Sequence, residues 1–510
     1  MASTLLRAAA MSIALLFILA PARLPAQDVT LMARDGGVSV DGTLLSYDGA
    51  YYQVDTLYGE LTLDAQGVIC EGPGCPDLTR HVAEFGFAGT PIMGTRLIPA
   101  LLEGFARGRD LRIYRENGED GLERAIYVLL DPATAEPVAR VGVKVSSSDA
   151  GLVSLLAGET ELALSLAELD DPEVRARVVG LDAFVPVVSP HNPLRTISVP
   201  DLVDALSGEV TTWEALGRVE DLPIRLHAHA EGSGVQQALE AQLLGPRGLP
   251  MADTIERHAA PLALAARVAR DPMALGVTLA SQSGGAKVLP LTGACGFQQS
   301  ATPLAVKAED YPLTLPLLLH MRAERLPLLA REFLDFLSTE RAQRIIRRIG
   351  FIDLGAEAIA LDQQGRRLAN AIAAAGESVE LTDLQALVAE LEGTERLSST
   401  FRFAPGETRL DAPSRDNVRS LARALEAGLY DGRELVFAGF TDGDGPSEVN
   451  LRIAHERATE VRDAVREAAP LLSSDRVALR VAAFGEAMPI ACDDSEQGRQ
   501  SNRRVEVWLR

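Results

Sequence analysis

The chain is short of cations: 49 Lys and Arg stand against 71 Asp and Glu, a formal charge of −22. That deficit excludes nucleic acid and anionic membrane surfaces as partners held by bulk charge. Any anion must instead be bound by local geometry. Long apolar runs are also missing. Beyond the first 26 residues none reaches bilayer-spanning length, and no long strand series reads as an outer-membrane barrel. Catalytic signatures are absent too. There is no Gly-x-Ser-x-Gly elbow, no metalloprotease helix and no phosphate-cradling loop ending in Lys-Ser/Thr, so the chain reads as non-enzymatic and without cofactor. Cysteine is scarce, at four. Cys70 and Cys75 flank the turn Glu-Gly-Pro-Gly and are expected to pair locally. Cys295 and Cys492 lie far apart, and pairing and burial as free thiols both stay open. No second close Cys or His pair completes a zinc site around them.

What is present divides the 510 residues into several parts. Residues 1–26 read as a secretory signal: Arg7, then the short apolar run Ala8–Ala20, with cleavage expected after Ala26. The first cysteine is Cys70, so a lipidated N-terminal cysteine is not expected. Residues 27–76 read as a small β module, with Val38-Ser39-Val40 and Leu61-Thr62-Leu63 alternating between glycine turns. Its Tyr47, Tyr51, Tyr52 and Tyr58 read as half-buried strand packing. Residues 77–354 alternate strand-like and helix-like segments, an α/β pattern. Residues 355–397 are alanine-rich and read as a helical linker. Residues 398–510 read as α+β.

Within 77–354, three strand-to-helix junctions share one design. They are Gly94-Thr95-Arg96, Ser146-Ser147-Ser148 and Gly232-Ser233-Gly234. A helix N-terminus offers unpaired N–H groups, glycine lets backbone approach a ligand, and hydroxyls add donors. One such junction is weak evidence, since a Ser or Thr can simply cap its own helix. Three in one domain point to a converging oxyanion pocket. Just before the third, period 2 sets Arg225, His227, His229 and Glu231 on one strand face. The plain reading is a polar face at a lobe boundary, and no metal is assigned without a third ligand from elsewhere.

Near the C-terminus, Asp442 stands in a Gly-rich turn, and Arg457 follows on a helix. On a helical wheel Val449–Arg466 carries an apolar arc of Ile453, Ala454, Ala458, Val461, Ala464 and Val465, with Arg457 in its middle. A guanidinium facing apolar surface needs a partner, either Asp442 or a ligand carboxylate.

Residues 398–510 resemble the OmpA-like peptidoglycan-binding domain. The matching pieces are Phe401-Arg402-Phe403, Thr441-Asp442, Gly445, Asn450, Arg457-Ala458, Phe484-Gly485-Glu486 and Asn502-Arg503-Arg504-Val505-Glu506. The resemblance implies that Asp442 and Arg457, with Asn450 nearby, grip the diaminopimelate of peptidoglycan. The free end of that residue carries an ammonium and a carboxylate, which want one anion and one two-pronged cation. The family's usual Leu-Ser ahead of the arginine is Ile453-Ala454 here. Residues 77–354 resemble the PstS-like phosphate-binding proteins of ABC transporters, in Asn192-Pro193, Leu206–Gly217, Glu231–Gly234, Tyr311-Pro312-Leu313, Glu332–Phe336 and Gly350-Phe351. This implies two lobes hinged about a ligand, held by the three junctions and His229, and an ABC permease as partner. Three positions depart from that family: His229 replaces an arginine, Val235 a threonine, and Leu166 the aspartate that accepts the proton of hydrogen phosphate.

The expected molecule is a multidomain, non-enzymatic periplasmic protein: a β module, a two-lobed α/β binding domain for a small anionic ligand, and an α+β domain anchored to peptidoglycan. The alternative is an envelope scaffold whose binding domain has lost phosphate capture and takes a protein or glycan.

Overall fold

The computed structural model describes residues 28–510 apart from 35–36, 78–80, 119–120, 218–220, 324–325, 376–378, 404–408 and 474. The expected signal segment and its cleavage point lie outside the described residues. The chain divides into two compact units, Met1–His81 and Val82–Arg510.

In the first unit, five antiparallel strands form one sheet, closed by a Cys70–Cys75 disulfide. Alternation puts Val29, Leu31, Tyr52 and Val54 in its core. Tyr52 stacks on Tyr47 with ring centres 4.9 Å apart, while Tyr58 sits exposed at a hairpin turn, so the four tyrosines do not form one face.

The second unit holds two sheets that matter for function. The larger runs in the order Ile255–His258, Arg225–His229, Ala274–Leu279, Val174–Val188, Thr314–Arg322, Leu162–Ser165, Ala83–Gly89, Pro137–Val145, Gly121–Leu130 and Arg112–Gly118. Its inner strands are nearly continuous apolar runs, because helices cover both faces. The 15-residue strand Val174–Val188 pairs with Thr314–Arg322 up to Ala183 and with Ala274–Leu279 from Phe184 onward. It thereby runs through both lobes. A second crossing lies beside it, where the Phe184 N–H donates to Leu313 O (2.9 Å) and the Tyr311 hydroxyl donates to Phe184 O (3.0 Å).

At this crossing Asp182 is buried and accepts from the Ser281 hydroxyl (2.6 Å) and from the amides of Ser281 and Ala183. Burial outweighs these bonds and the nearby Arg96, and lifts its carboxyl to about 6. A raised carboxyl pKa means stability is lost as pH climbs from the ordinary value through the folded one. Between pH 4 and 7 the native chain should lose roughly 2 kcal/mol more than Asp182→Asn does. Urea unfolding of both proteins across that range measures the difference, and parallel pH profiles would show that Asp182 is ionised at no cost.

The smaller sheet runs Ala358–Ala360, Glu395–Phe401, Arg504–Leu509, Glu434–Phe440 and Ala478–Gly485. Both of its faces are buried. Leu435, Phe437, Val505 and Val507 meet the helices Ala412–Glu426 and Ser447–Ala468. Val436, Ala438, Phe440 and Trp508 meet Ala371, Leu384, Leu387 and Leu391 from two shorter helices. Residues 355–397, expected to be a helical linker, thus supply two helices to one face of this sheet, an edge strand and the start of a second strand. The strands escaped notice because the edge strand has three residues, too few for an alternation to register.

Cys295 and Cys492 are disulfide-bonded, which settles the alternative left open above and ties the α/β part to the C-terminal part. Arg396 reinforces the junction by forking onto both oxygens of Asp310 (2.7 and 2.9 Å), and Arg402 pairs with Glu309 (3.2 Å).

Candidate functional site

Two of the three junctions in the α/β part stand at helix N-termini and meet, and the third lies inside a helix. The helix after the first strand begins at Pro91, so Gly94, Thr95 and Arg96 lie inside it rather than at its N-terminus. Proline's fixed φ and missing N–H suit the first helical position, and Thr90-Pro91 was the readable signal. The Thr95 hydroxyl donates back to Pro91 O (2.7 Å). Arg96 donates to Ile349 O (2.7 Å) and lies over the Phe351 ring. Gly94 is small because Val145 and Val143 press on it. The residue at the strand end is Thr90, fully buried with its hydroxyl unpartnered among the described residues.

The other two junctions meet across the cleft. Ser147 and Ser233 cap their own helices, accepting from Ala150 N (3.1 Å) and Gln236 N (3.2 Å). Ser146 donates to Ser147 O (3.1 Å). Ser148 is buried, and its hydroxyl has no partner among the described residues. It faces Gly234 so closely that a Cβ there would fall 2.3 Å from its oxygen. Gln237 then donates to Asp149 (2.6 Å) between the same helices. His229 is buried, and desolvation lowers its imidazole to about 4, so it is neutral at pH 7. Its amide is held by Gln236 (3.1 Å). Leu166 is a core residue just past the Leu162–Ser165 strand, and Val235 is buried beside the Gly-Ser-Gly turn. None of these positions supplies a charge to the cleft.

In the C-terminal part, the Glu434–Phe440 strand ends at the turn that carries Thr441 and Asp442, and the Ser447–Ala468 helix follows. Gly439 lets strand and helix touch: a Cβ on it would lie 2.0 Å from Ala454 O. Ala454 is itself fully buried in that contact. The contact accounts for a small residue at 454, although nothing in it accounts for the loss of a hydroxyl. One turn inside the helix, Asn450 is buried with its amide nitrogen unpartnered among the described residues.

Asp442 does not pair with Arg457. Its partner is Arg503, whose Nη1 donates to it at 2.6 Å and whose Nη2 pairs with Glu496. Arg457 lies over the Phe403 ring, 5.3 Å from its centre, and no carboxylate among the described residues pairs with it. Burial and the neighbouring Arg503 both press its pKa down, with Asp442 opposing them. The result is a half-buried guanidinium beside a carboxylate already engaged elsewhere. Asn502 shapes the rim: its Oδ1 accepts from the Ile490 and Ala491 amides, and its Nδ2 donates to Asp493, which also accepts from Gly443 N (2.9 Å). Arg503 stands inside a motif quoted from the sequence, but its bond to Asp442, 61 residues away, had no local signal.

Comparison with known proteins follows these divisions. Residues 118–341 match the model of the PBP superfamily domain, and residues 402–503 match that of the OmpA family. An outer-membrane lipoprotein, YfiB, of Pseudomonas aeruginosa is 31% identical over 111 residues, 22% of this chain and 62% of that protein. A phosphate-binding protein, PstS 2, of Streptococcus agalactiae is 29% identical over 86 residues, 16% of this chain and 29% of that protein. The chain thus spans less than two thirds of each of these relatives. Among solved structures, an ABC-type phosphate transport receptor from Vibrio cholerae aligns at 17% identity over 52% of this chain and 99% of that one, with a TM-score of 0.42. The chain is therefore similar to the PBP superfamily domain over 118–341 and to the OmpA family over 402–503, within the two stretches that carry the sequence resemblances.

Proposed function

We propose that the chain is a binding protein of the bacterial periplasm held to the cell wall by its C-terminal domain. The observation that carries this reading is the half-buried Arg457, which has no carboxylate partner among the described residues and lies beside Asp442. A ligand bearing both a carboxylate and an ammonium, such as the free end of diaminopimelate, supplies what that pair lacks, with Asn450 as a further donor. The YfiB relative, by its name an outer-membrane lipoprotein, supports an envelope location. The test is co-sedimentation of the exported chain with isolated peptidoglycan. Retention that is competed by free diaminopimelate is expected, and a soluble fraction unchanged by added wall would overturn the anchor.

The α/β domain on this reading closes on a small anionic ligand through backbone N–H groups and hydroxyls at 146–148 and 232–234, without a permease contact being required. A second reading is favoured by the close approach of Ser148 to Gly234, which leaves little room between those two junctions, and by the neutral, buried His229. On that reading the domain is a scaffold for a protein or glycan. Calorimetric titration with phosphate separates the two. Micromolar or tighter binding supports ligand capture, and an absence of heat supports the scaffold.

A further inference from the structure

The strand face that carries His227 meets two more metal-ligating side chains on its neighbour. Arg225–His229 and Ile255–His258 pair in parallel, with His227 opposite Glu256 and His229 opposite His258. His227 Nδ1 lies 2.9 Å from His258 Nε2, and the two oxygens of Glu256 lie 3.8 Å from those same nitrogens, one each. We propose that His227, His258 and Glu256 form a binding site for a divalent transition-metal ion of the zinc, copper and nickel class.

Geometry favours it first. Two metal–nitrogen bonds of about 2.0–2.1 Å at a tetrahedral angle place their nitrogens about 3.3 Å apart, so the imidazoles need only separate slightly. A side-chain rotation closes the carboxylate onto the same point. The donor set of two imidazoles and one carboxylate suits zinc, copper and nickel, whereas calcium and magnesium prefer all-oxygen sites.

Burial bears on it too. His227 is only 1% exposed, and its Nδ1 faces the ring nitrogen of another histidine rather than a fixed backbone group. Each neutral ring ligates through its bare nitrogen, so metal entry shifts the proton the two rings share to the far nitrogen of its own ring and none is released. Ile255–His258 is the edge strand of the sheet and Glu256 is half exposed, which leaves a way in. Arg267, 3.4 Å from Glu256, is the competing cation and must turn away, while Asp271 and the Arg225 it binds lie close to His227.

The exported chain, freed of metal with a chelator, should take up one equivalent of Zn2+ by calorimetry and melt at higher temperature with it. Mg2+ and Ca2+ should do neither. His258→Ala and the surface change Glu256→Gln should each weaken Zn2+ binding by about tenfold or more, whereas His455→Ala, on an exposed helix face, should not. Glu256→Gln leaves no buried gap, so its result stands even if His258→Ala folds poorly. Failure of the native chain to bind Zn2+, Cu2+ or Ni2+ saturably, or native affinity in both variants, would overturn the site.

Discussion

Arg457→Ala is expected to release the protein from peptidoglycan, weakening retention by about thirtyfold or more. Truncating one partner of a buried, charge-assisted pair typically costs about 2–5 kcal/mol, and each 1.4 kcal/mol is tenfold. Arg457 lacks a carboxylate partner among the described residues. Its guanidinium lies over Phe403, Asp442 is engaged by Arg503, and burial together with Arg503 disfavours its charge. A ligand carboxylate would relieve that penalty, so binding should gain more here than from an exposed arginine. Arg457→Lys should recover part of the loss, because it restores the charge without the two-pronged fork. The measurement is the fraction of protein sedimenting with isolated wall, alongside circular dichroism to confirm folding. Native retention in a folded Arg457→Ala protein would place the wall contact elsewhere.

Glu506→Gln is expected to be the most damaging single change to stability, costing about 3–5 kcal/mol. Glu506 is fully buried between three arginines: Arg504 Nε at 2.6 Å, Arg367, and Arg396 Nε at 3.4 Å. Its second oxygen accepts from the indole of Trp508 (3.1 Å). Removing its charge leaves Arg504 and Arg367 with no carboxylate among the described residues and Arg396 with Asp310 alone, and Arg396 and Arg504 are almost wholly buried. Arg396 is also the residue that forks onto Asp310, so the junction with the α/β part should weaken with it. Urea unfolding followed by tryptophan fluorescence reads this well, since Trp508 is one of two tryptophans and touches the altered group. The arginines hold the Glu506 carboxyl far below its usual range. A depressed carboxyl pKa gives stability that is fully present above the unfolded value and is lost progressively as pH falls from there through the folded one. The native protein should therefore lose this contribution steadily below the ordinary glutamate range, the last of it only in strong acid. A loss below about 1 kcal/mol in Glu506→Gln would mean that the arginines find other partners.

Much of the fold was legible in local pattern. The alternation of 27–76, the strand–helix rhythm of the middle and the apolar arc of 449–466 are short-range periodicities, which burial imposes directly on sequence. The caps at Ser147 and Ser233 were equally local, since a hydroxyl three residues before an amide needs no distant partner. The first junction lies elsewhere for a local reason as well: Gly94 suits the start of a helix by pattern, but its smallness serves helix packing against Val143 and Val145.

By itself the sequence determined the order of the parts, the two family resemblances and the residue types at each candidate site. Only the tertiary structure decided which side chains meet. Arg503 rather than Arg457 took Asp442, Cys295 found Cys492 across 197 residues, and His258 and Glu256 came to His227 from a neighbouring strand. The reason is physical. Periodicity records which way a side chain points relative to the core, and that depends on a few adjacent residues. A charge or an imidazole takes whichever partner packing brings within about 3 Å, and that depends on the whole chain.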